Sequence, residues 1–255
     1  KLNVYDTQDS NEQLQKLIRS QLMDDAHLLI GPVFPQGIKY LTPYSIAHHI
    51  PMVSPLAASR PEDFNNPNLI SIVNNIDLHG LKIGNYIAKR YQPAQTEVVL
   101  ISTKSPSDEL LAQPLRSYFL NQTATKRPFN EYGSVFTMET RMQKGKKYVV
   151  MVTSSDQKFV SATIDKLVKM QKAGFSIDLY GHPDWLKQNY TTEKLQALNT
   201  IISSSYQVDF NSPTVISFIK KYRKTFNFEP GEFAYKGFDI GLYFGRQFSL
   251  HGADF

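Results

Sequence analysis

The chain of 255 residues contains no cysteine and only one tryptophan, Trp185. Without cysteine there can be no disulfide framework, no thiolate metal site and no cysteine nucleophile. This composition is compatible with export but leaves the redox compartment open. Long apolar runs are missing as well, since no stretch approaches the roughly 20 residues needed to span a bilayer. No signal peptide is recognisable at Lys1, so we expect that any targeting segment has been removed.

The motifs of common catalytic sites are also missing. The sequence has no G-x-S-x-G elbow, no P-loop, no G-x-G-x-x-G and no H-E-x-x-H. The adjacent His48 and His49 would point about 100° apart on a helix, which is poor geometry for one metal ion. We therefore expect a protein that is not an enzyme and that uses no cofactor or metal.

The net charge of +5 raises the possibility of a nucleic-acid partner. Basic residues gather at 144–147 and 220–224, but both groups lie in or beside amphipathic helical patterns. No helix-turn-helix, finger or aromatic RNA-binding signature accompanies them, so we interpret them as solvated helix faces. With 41% hydrophobic and 20% charged residues, the chain is typical of a globular protein with one large core or two modest ones.

Short apolar runs alternate with helical patterns along the chain. Strands are predicted at 2–5, 28–30, 52–53, 69–73, 98–101, 132–136, 148–152, 178–180 and 201–202. The intervening helices begin at capping signals, namely Ser10 with Gln13, Asp77, Ser107, Ser154 with Gln157, and Ser212 with Pro213. This alternation predicts an α/β fold with parallel sheets flanked by helices.

A polar connector around Pro93 indicates a boundary between two lobes. We expect residues 1–91 and 207–255 to form lobe 1 and residues 92–206 to form lobe 2, with hinge crossings near 91–96 and 203–208. In parallel sheets, ligands gather where the carboxyl ends of strands meet the amino ends of helices. The sequence therefore predicts a site built from strand ends, in a cleft between the lobes.

The predicted site residues follow the strands of each lobe. Lobe 1 would contribute Pro35, Gln36, Ser54, Leu56 and Ala57. Lobe 2 would contribute Thr103, Ser105, Ser154, Ser155, Asp156, His182 and Asp184. Tyr206 and Tyr235 would line the hinge side. Each has an alternative role, since Ser154 could simply cap its helix, Asp156 could complement a helix dipole, Ser54 could end a strand, and His182 could lie in a surface loop.

Several segments carry a family resemblance. They read VYDTQDSNEQLQKLI, LLIGPVFP, IPMVSPLAAS, NPNLISIVNN, GNYIAKRY, SPTVISFIKKYRKTFNFEP and FAYKGFDIGLYF. Together they resemble type I periplasmic binding proteins of the Leu/Ile/Val-binding superfamily, above all the envelope branch often fused to a peptidoglycan-binding LysM module. The resemblance implies two lobes that close on a ligand without chemistry, and a periplasmic or lipid-anchored extracytoplasmic location. It also implies a fold truncated at both ends, because the family begins one strand and one helix earlier and continues beyond Phe255.

The resemblance leaves two hypotheses open. The first is a solute-binding domain for an amino-acid-like or peptide-like ligand, serving an ABC transporter or another membrane partner. Amino-acid-binding relatives hold the ligand carboxylate with hydroxyls, whereas this chain has Phe34, Pro35 and Gln36 at the first position and Ala58 followed by Ser59 at the second. The second hypothesis is therefore a cell-envelope scaffold or regulator that binds an envelope protein or peptidoglycan and has lost the pocket, like the lipoprotein activators of peptidoglycan synthases.

Overall fold

The computed structural model describes residues 1–57, 60–121 and 127–252, so Ala58 and Ser59 lie outside the described residues. The chain forms two compact units. Unit 1 comprises Lys1–Asn75 and Ser205–Phe255, and unit 2 comprises Ile76–Ser204. Within the described ranges, no helix combines the length and apolarity that crossing a membrane requires.

The helices and strands alternate along most of the chain. The helices are α1 Asn11–Arg19, α2 Pro35–Ala47, α3 Pro61–Phe64, α4 Ile76–Arg90, α5 Pro106–Asn121, α6 Val135–Glu139, α7 Gln157–Lys172, α8 Thr192–Ala197, α9 Pro213–Phe226 and α10 Glu232–His251. The strands are β1 Leu29–Ile30, β2 Met52–Ser54, β3 Leu69–Ser71, β4 Thr96–Ile101, β5 Phe129–Tyr132, β6 Lys147–Val152, β7 Ser176–Gly181 and β8 Ile201–Ile202.

Unit 1 contains a parallel three-stranded sheet in the order β1-β2-β3. The strands predicted at 28–30 and 52–53 are therefore parallel neighbours, and helix α2 connects them. Buried Ile38 and Leu41 of α2 pack with Met52 of β2 in the core of this unit. The strand predicted at 2–5 is wrong, because these residues join neither sheet and Leu2 and Val4 are more than 80% exposed. Alternating side chains do not make a strand unless its backbone finds a hydrogen-bonding neighbour.

Unit 2 contains a parallel five-stranded sheet in the order β5-β4-β6-β7-β8. Side chains of β6 alternate between two cores. Val149 and Met151 join one cluster, and Val150 and Val152 join the other. Because successive side chains of a strand point to opposite faces, helices cover this sheet on both sides. The predicted fold class, α/β with parallel sheets flanked by helices, is confirmed.

Helix α4 belongs to unit 2, whereas the division made from the sequence placed residues 76–91 in lobe 1. Its buried residues Ile83 and Ile87 share a core with Leu111 and Leu115 of α5. A Cβ added at Gly84 would lie 2.7 Å from the ring of Tyr118, so the glycine permits this close approach of the two helices. Tight packing between α4 and α5 therefore fixes α4 to the second unit.

Two local predictions need correction. The strand predicted at 132–136 ends at Tyr132, because Ser134 accepts a hydrogen bond of 3.3 Å from the Thr137 amide and starts α6. The N-cap of α7 is Asp156, not Ser154, since an Asp156 carboxylate oxygen accepts from the Phe159 amide at 2.7 Å. Both residue types are good caps, so the sequence alone does not choose between positions two residues apart.

Candidate functional site

The unit 2 sheet changes direction of winding between β4 and β6. From β4 the chain passes through α5 to β5 on one side, and from β6 it passes through α7 to β7 on the other. At such a switch point the carboxyl ends of the two strands border a crevice that commonly holds ligands. A cavity of about 410 Å³ lies at this place. It is lined by Thr103, Ser105, Ser107, Asp108, Ser154, Ser155, Asp156 and Phe159.

The β4 side of the cavity is organised by a buried carboxylate. Asp108, in the first turn of α5, is only 2% exposed. Its Oδ2 accepts hydrogen bonds from the Thr103 amide at 3.0 Å and from the Thr103 hydroxyl at 2.7 Å. The Asp108 amide in turn donates to Ser105 Oγ at 3.2 Å. These bonds hold the loop after β4 against the start of α5, so the Thr103 and Ser105 side chains have defined positions at the cavity wall.

The β6 side consists of the loop from Ser154 to Asp156. Ser154 is 2% exposed, and its Oγ accepts a hydrogen bond of 3.2 Å from the Asp156 amide. Asp156 caps α7 as described above, and its carboxylate is exposed to solvent. Phe159, in the first turn of α7, is also a lining residue, and its side chain packs against the hydrophobic core of unit 2. The predicted residues Thr103, Ser105, Ser154, Ser155 and Asp156 are thus brought together at one cavity.

The loop after β7 braces this wall from behind. The indole of Trp185 is buried and donates to the Ser154 carbonyl, and the side-chain amide of Gln188 donates to the Ser155 carbonyl at 3.0 Å. Two consecutive carbonyls of the β6 loop are therefore held by side chains from the next strand's loop. Such support fixes the geometry of the residues that face the cavity.

His182 and Asp184 follow β7 and do not line the cavity. Buried His182 accepts a hydrogen bond of 3.0 Å from the Asp184 amide through Nδ1, so this nitrogen carries no proton. Burial lowers the pKa of His182, against the opposing influence of the Asp184 carboxylate. Burial alone would raise the pKa of Asp184, but the hydrogen bond from Lys187 together with neighbouring positive charge holds this pKa below its usual value. His182 is consequently a neutral, structural histidine at neutral pH rather than a surface loop residue.

The residues predicted from unit 1 have separate environments. Pro35 and Gln36 begin α2, and Gln36 lines a smaller cavity of about 150 Å³ in this unit. The Ser54 hydroxyl is buried and donates to the Ala57 carbonyl at 2.9 Å, and Leu56 and Ala57 are half-buried behind it.

Two predicted tyrosines come from the C-terminal part of unit 1. The Tyr206 hydroxyl donates to Asp239 at 2.9 Å. Buried Tyr235 contacts the rings of Phe210 and Phe218, with centroid distances of 5.8 and 5.6 Å. A ligand role for either residue stays a prediction.

Three lining residues were not predicted from the sequence. Asp108 had a usable signal, because an acidic residue two positions after Pro106 suits the first turn of a helix that begins with proline. Ser107 was interpreted only as the start of the helix. Phe159 carried no signal, since aromatic residues at helical spacing usually join a core.

The described residues that line the cavity are five hydroxyl-bearing side chains, two carboxylates and Phe159. Among the described lining residues, the Thr103 hydroxyl donates to the Asp108 carboxylate, and no histidine is included, since His182 lies outside the cavity and its Nδ1 accepts from the Asp184 amide. Across residues 1–57, 60–121 and 127–252, no group of three or more histidines and carboxylates could hold a metal ion. The hydroxyls and carboxylates can instead exchange hydrogen bonds with a polar ligand.

No protein-family model and no curated protein matches the sequence. Solved structures match in fold. A candidate branched-chain amino acid ABC transporter from Rhodospirillum rubrum has a TM-score of 0.64 and 14% identity over 92% of this chain and 68% of its own. An ABC transporter substrate-binding protein from Desulfitobacterium hafniense in complex with Leu has a TM-score of 0.54 and 16% identity over 95% of this chain and 70% of its own. Full-length LpoA from Haemophilus influenzae has a TM-score of 0.55 and 12% identity over 89% of this chain and 40% of its own. The predicted resemblance to type I periplasmic binding proteins is confirmed at the level of the fold.

Proposed function

We propose that this chain is a non-catalytic, extracytoplasmic solute-binding domain that holds a small polar ligand at the carboxyl edge of the unit 2 sheet. The observation that carries the proposal is the cavity of about 410 Å³ at the switch point between β4 and β6, lined mainly by hydroxyls. Its size falls within the range of roughly 300 to 1,000 Å³ that is usual for small-molecule sites. The fold shared with substrate-binding proteins of ABC transporters supports the same function.

The function needs no reaction at the site. The domain would bind its solute and then pass it, or the information that it is bound, to a membrane partner. Amino-acid-like and peptide-like solutes are the first classes to test, because the substrate-binding protein from Desulfitobacterium hafniense was crystallised with Leu. A periplasmic location and a lipid anchor or LysM module in a longer protein belong to this proposal as well.

A thermal-shift and calorimetric screen of amino acids, short peptides and muropeptides tests the proposal. A ligand that binds only the folded state at a hundred times its Kd would stabilise it by about 2.7 kcal/mol. Ser154→Ala should weaken binding, because it removes a hydroxyl from the cavity wall. Ser161→Ala is the matched control, since Ser161 is exposed on α7 and does not line the cavity. Silence from every compound, with a cooperatively folded protein, would count against an amino-acid-like or peptide-like solute.

A cell-envelope scaffold or regulator is the second candidate function. The strand ends of unit 1 favour it, because the Ser54 hydroxyl is already engaged by the Ala57 carbonyl and Pro35 has no amide hydrogen to donate. The fold match to LpoA is compatible with this candidate. Cosedimentation with purified peptidoglycan, alongside the solute screen, separates the two functions. Sedimentation with peptidoglycan and no response to any solute would favour the scaffold.

A further inference from the structure

We propose that the unit 2 cavity takes a neutral, polyhydroxylated solute, such as a monosaccharide or a cyclic polyol. This inference rests on the proposed solute-binding function and narrows its ligand class. It starts from the charges at the cavity. Asp108 lies in the first turn of α5 and Asp156 caps α7, so each carboxylate faces the partial positive charge of a helix amino end. The two acidic groups are thereby partly compensated within the protein, without a cationic ligand.

The charges and amides at the cavity do not favour an anionic ligand either. No lysine or arginine lines the cavity among the described residues. Pro106 begins α5 without an amide hydrogen, and the Asp108 and Phe159 amides already donate to Ser105 and Asp156. One amide at each of these helix ends, where a carboxylate or phosphate could bind, is therefore already occupied by one of the protein's own side chains.

The remaining hydrogen-bonding groups suit hydroxyls. Ser154 is 2% exposed and accepts from the Asp156 amide, and the part of the chain that the structure describes offers no acceptor for its hydroxyl hydrogen. A ligand oxygen can accept that hydrogen, and ligand hydroxyls can donate to the exposed Asp156 carboxylate. A hydroxyl group does both, which neither an ammonium nor a carboxylate can do.

Calorimetry and Trp185 fluorescence at neutral pH test the inference with D-glucose, D-ribose and myo-inositol, set against L-leucine, acetate and ethanolamine. We expect saturable binding of at least one polyhydroxylated compound. Ser154→Ala and Asp156→Asn should each weaken it by about tenfold, the equivalent of one hydrogen bond. Asparagine preserves the helix cap, and Ser161→Ala should leave binding unchanged.

Three results would overturn the inference. Binding of L-leucine, acetate or ethanolamine without any polyhydroxylated compound would overturn the ligand class and leave solute binding intact. Polyol binding that both cavity variants leave unchanged, with their folding verified by thermal unfolding, would place the ligand elsewhere. Silence from all six compounds would overturn the inference, and silence in the amino-acid and peptide screen as well would remove the solute-binding function with it.

Discussion

The indole Nε1 of Trp185 donates a hydrogen bond of 2.9 Å to the carbonyl oxygen of Ser154. This contact joins the loop after β7 to the loop after β6, directly behind the wall of the unit 2 cavity. Trp185 is the chain's only tryptophan and is 2% exposed, so its fluorescence reports on this junction without interference from another indole. The residue is a positioning group for the cavity and an intrinsic probe of it.

Replacing Trp185 by phenylalanine should destabilise the protein by about 2 kcal/mol. The change removes the hydrogen bond to the buried Ser154 carbonyl and leaves part of the indole volume empty. Urea unfolding followed by circular dichroism measures the effect. Leu186→Ala is the control, because Leu186 is 59% exposed in the same turn and should cost no more than about 0.5 kcal/mol. Equal effects of the two variants would contradict the role given to Trp185.

Gly181→Ala should also destabilise the protein, by about 1 to 3 kcal/mol. A Cβ at Gly181 would lie 2.3 Å from the Trp185 ring, and the buried indole cannot move away without disturbing its hydrogen bond. Gly133→Ala is the matched control, because a Cβ there meets nothing within 4 Å. The free energies of unfolding of both variants test the prediction, which fails if Gly181→Ala is as mild as the control.

Asp178 should contribute stability that is lost at acidic pH. Burial raises its pKa, but hydrogen bonds from Lys147 at 2.6 Å, Asn199 at 2.9 Å and Tyr91 at 2.8 Å outweigh burial and hold the pKa below its usual value. Because the folded-state pKa is the lower one, the contribution is present above the unfolded pKa of about 3.9 and disappears as pH falls through the folded value.

Asp178→Asn should therefore cost about 3 kcal/mol at pH 7, since it leaves the partly buried Lys147 ammonium without its counterion. The difference from the unaltered protein should shrink toward pH 3. Asp165→Asn provides the contrast, because Asp165 pairs with Lys194 at the surface and should cost less than about 1 kcal/mol. Unfolding free energies at both pH values decide the matter, and a loss from Asp178→Asn that is independent of pH would refute the assignment.

Stability should decline as the pH is lowered below about 6.5, the ordinary histidine pKa. Burial lowers the pKa of His182 and of His79, so the unfolded chain binds protons in this range before the folded chain does. His182→Asn keeps an acceptor for the Asp184 amide and should reduce the slope of stability against pH, with His79 supplying the remainder. An NMR titration in which the His182 imidazole becomes protonated above pH 6.5 would contradict this account.

Much of the fold can be predicted from the sequence, because parallel strands that are buried on both faces consist of short runs of apolar residues. Strands β4, β6 and β7 all lie where such runs occur. The strand prediction is wrong at Leu2–Tyr5, where apolar and polar residues alternate but no neighbouring strand pairs with the described backbone. Short helices such as Pro61–Phe64 are also not predicted, because four residues are too few to show the helical periodicity that would distinguish them from a loop.

The candidate site is partly predictable for the same reason. Thr103 and Ser154 follow directly from strand ends, since topology alone brings neighbouring carboxyl ends together. The hydrogen bond from Trp185 to the Ser154 carbonyl cannot be predicted from the sequence, because the two residues are 31 positions apart and their contact depends on the packing of two loops. The burial of Asp108 depends likewise on how the loop after β4 folds back onto α5.

Chemical-shift mapping of the isotope-labelled protein during titration with solutes tests the central claim most directly, because it locates binding without assuming the ligand's identity. We predict that a solute identified in the screens shifts the amide signals of residues 103–108 and 153–159 together, saturably, while α9 and α10 stay unchanged. Saturable shifts confined to other parts of the chain, with these two loops silent, would contradict the assignment of the solute site to the unit 2 cavity.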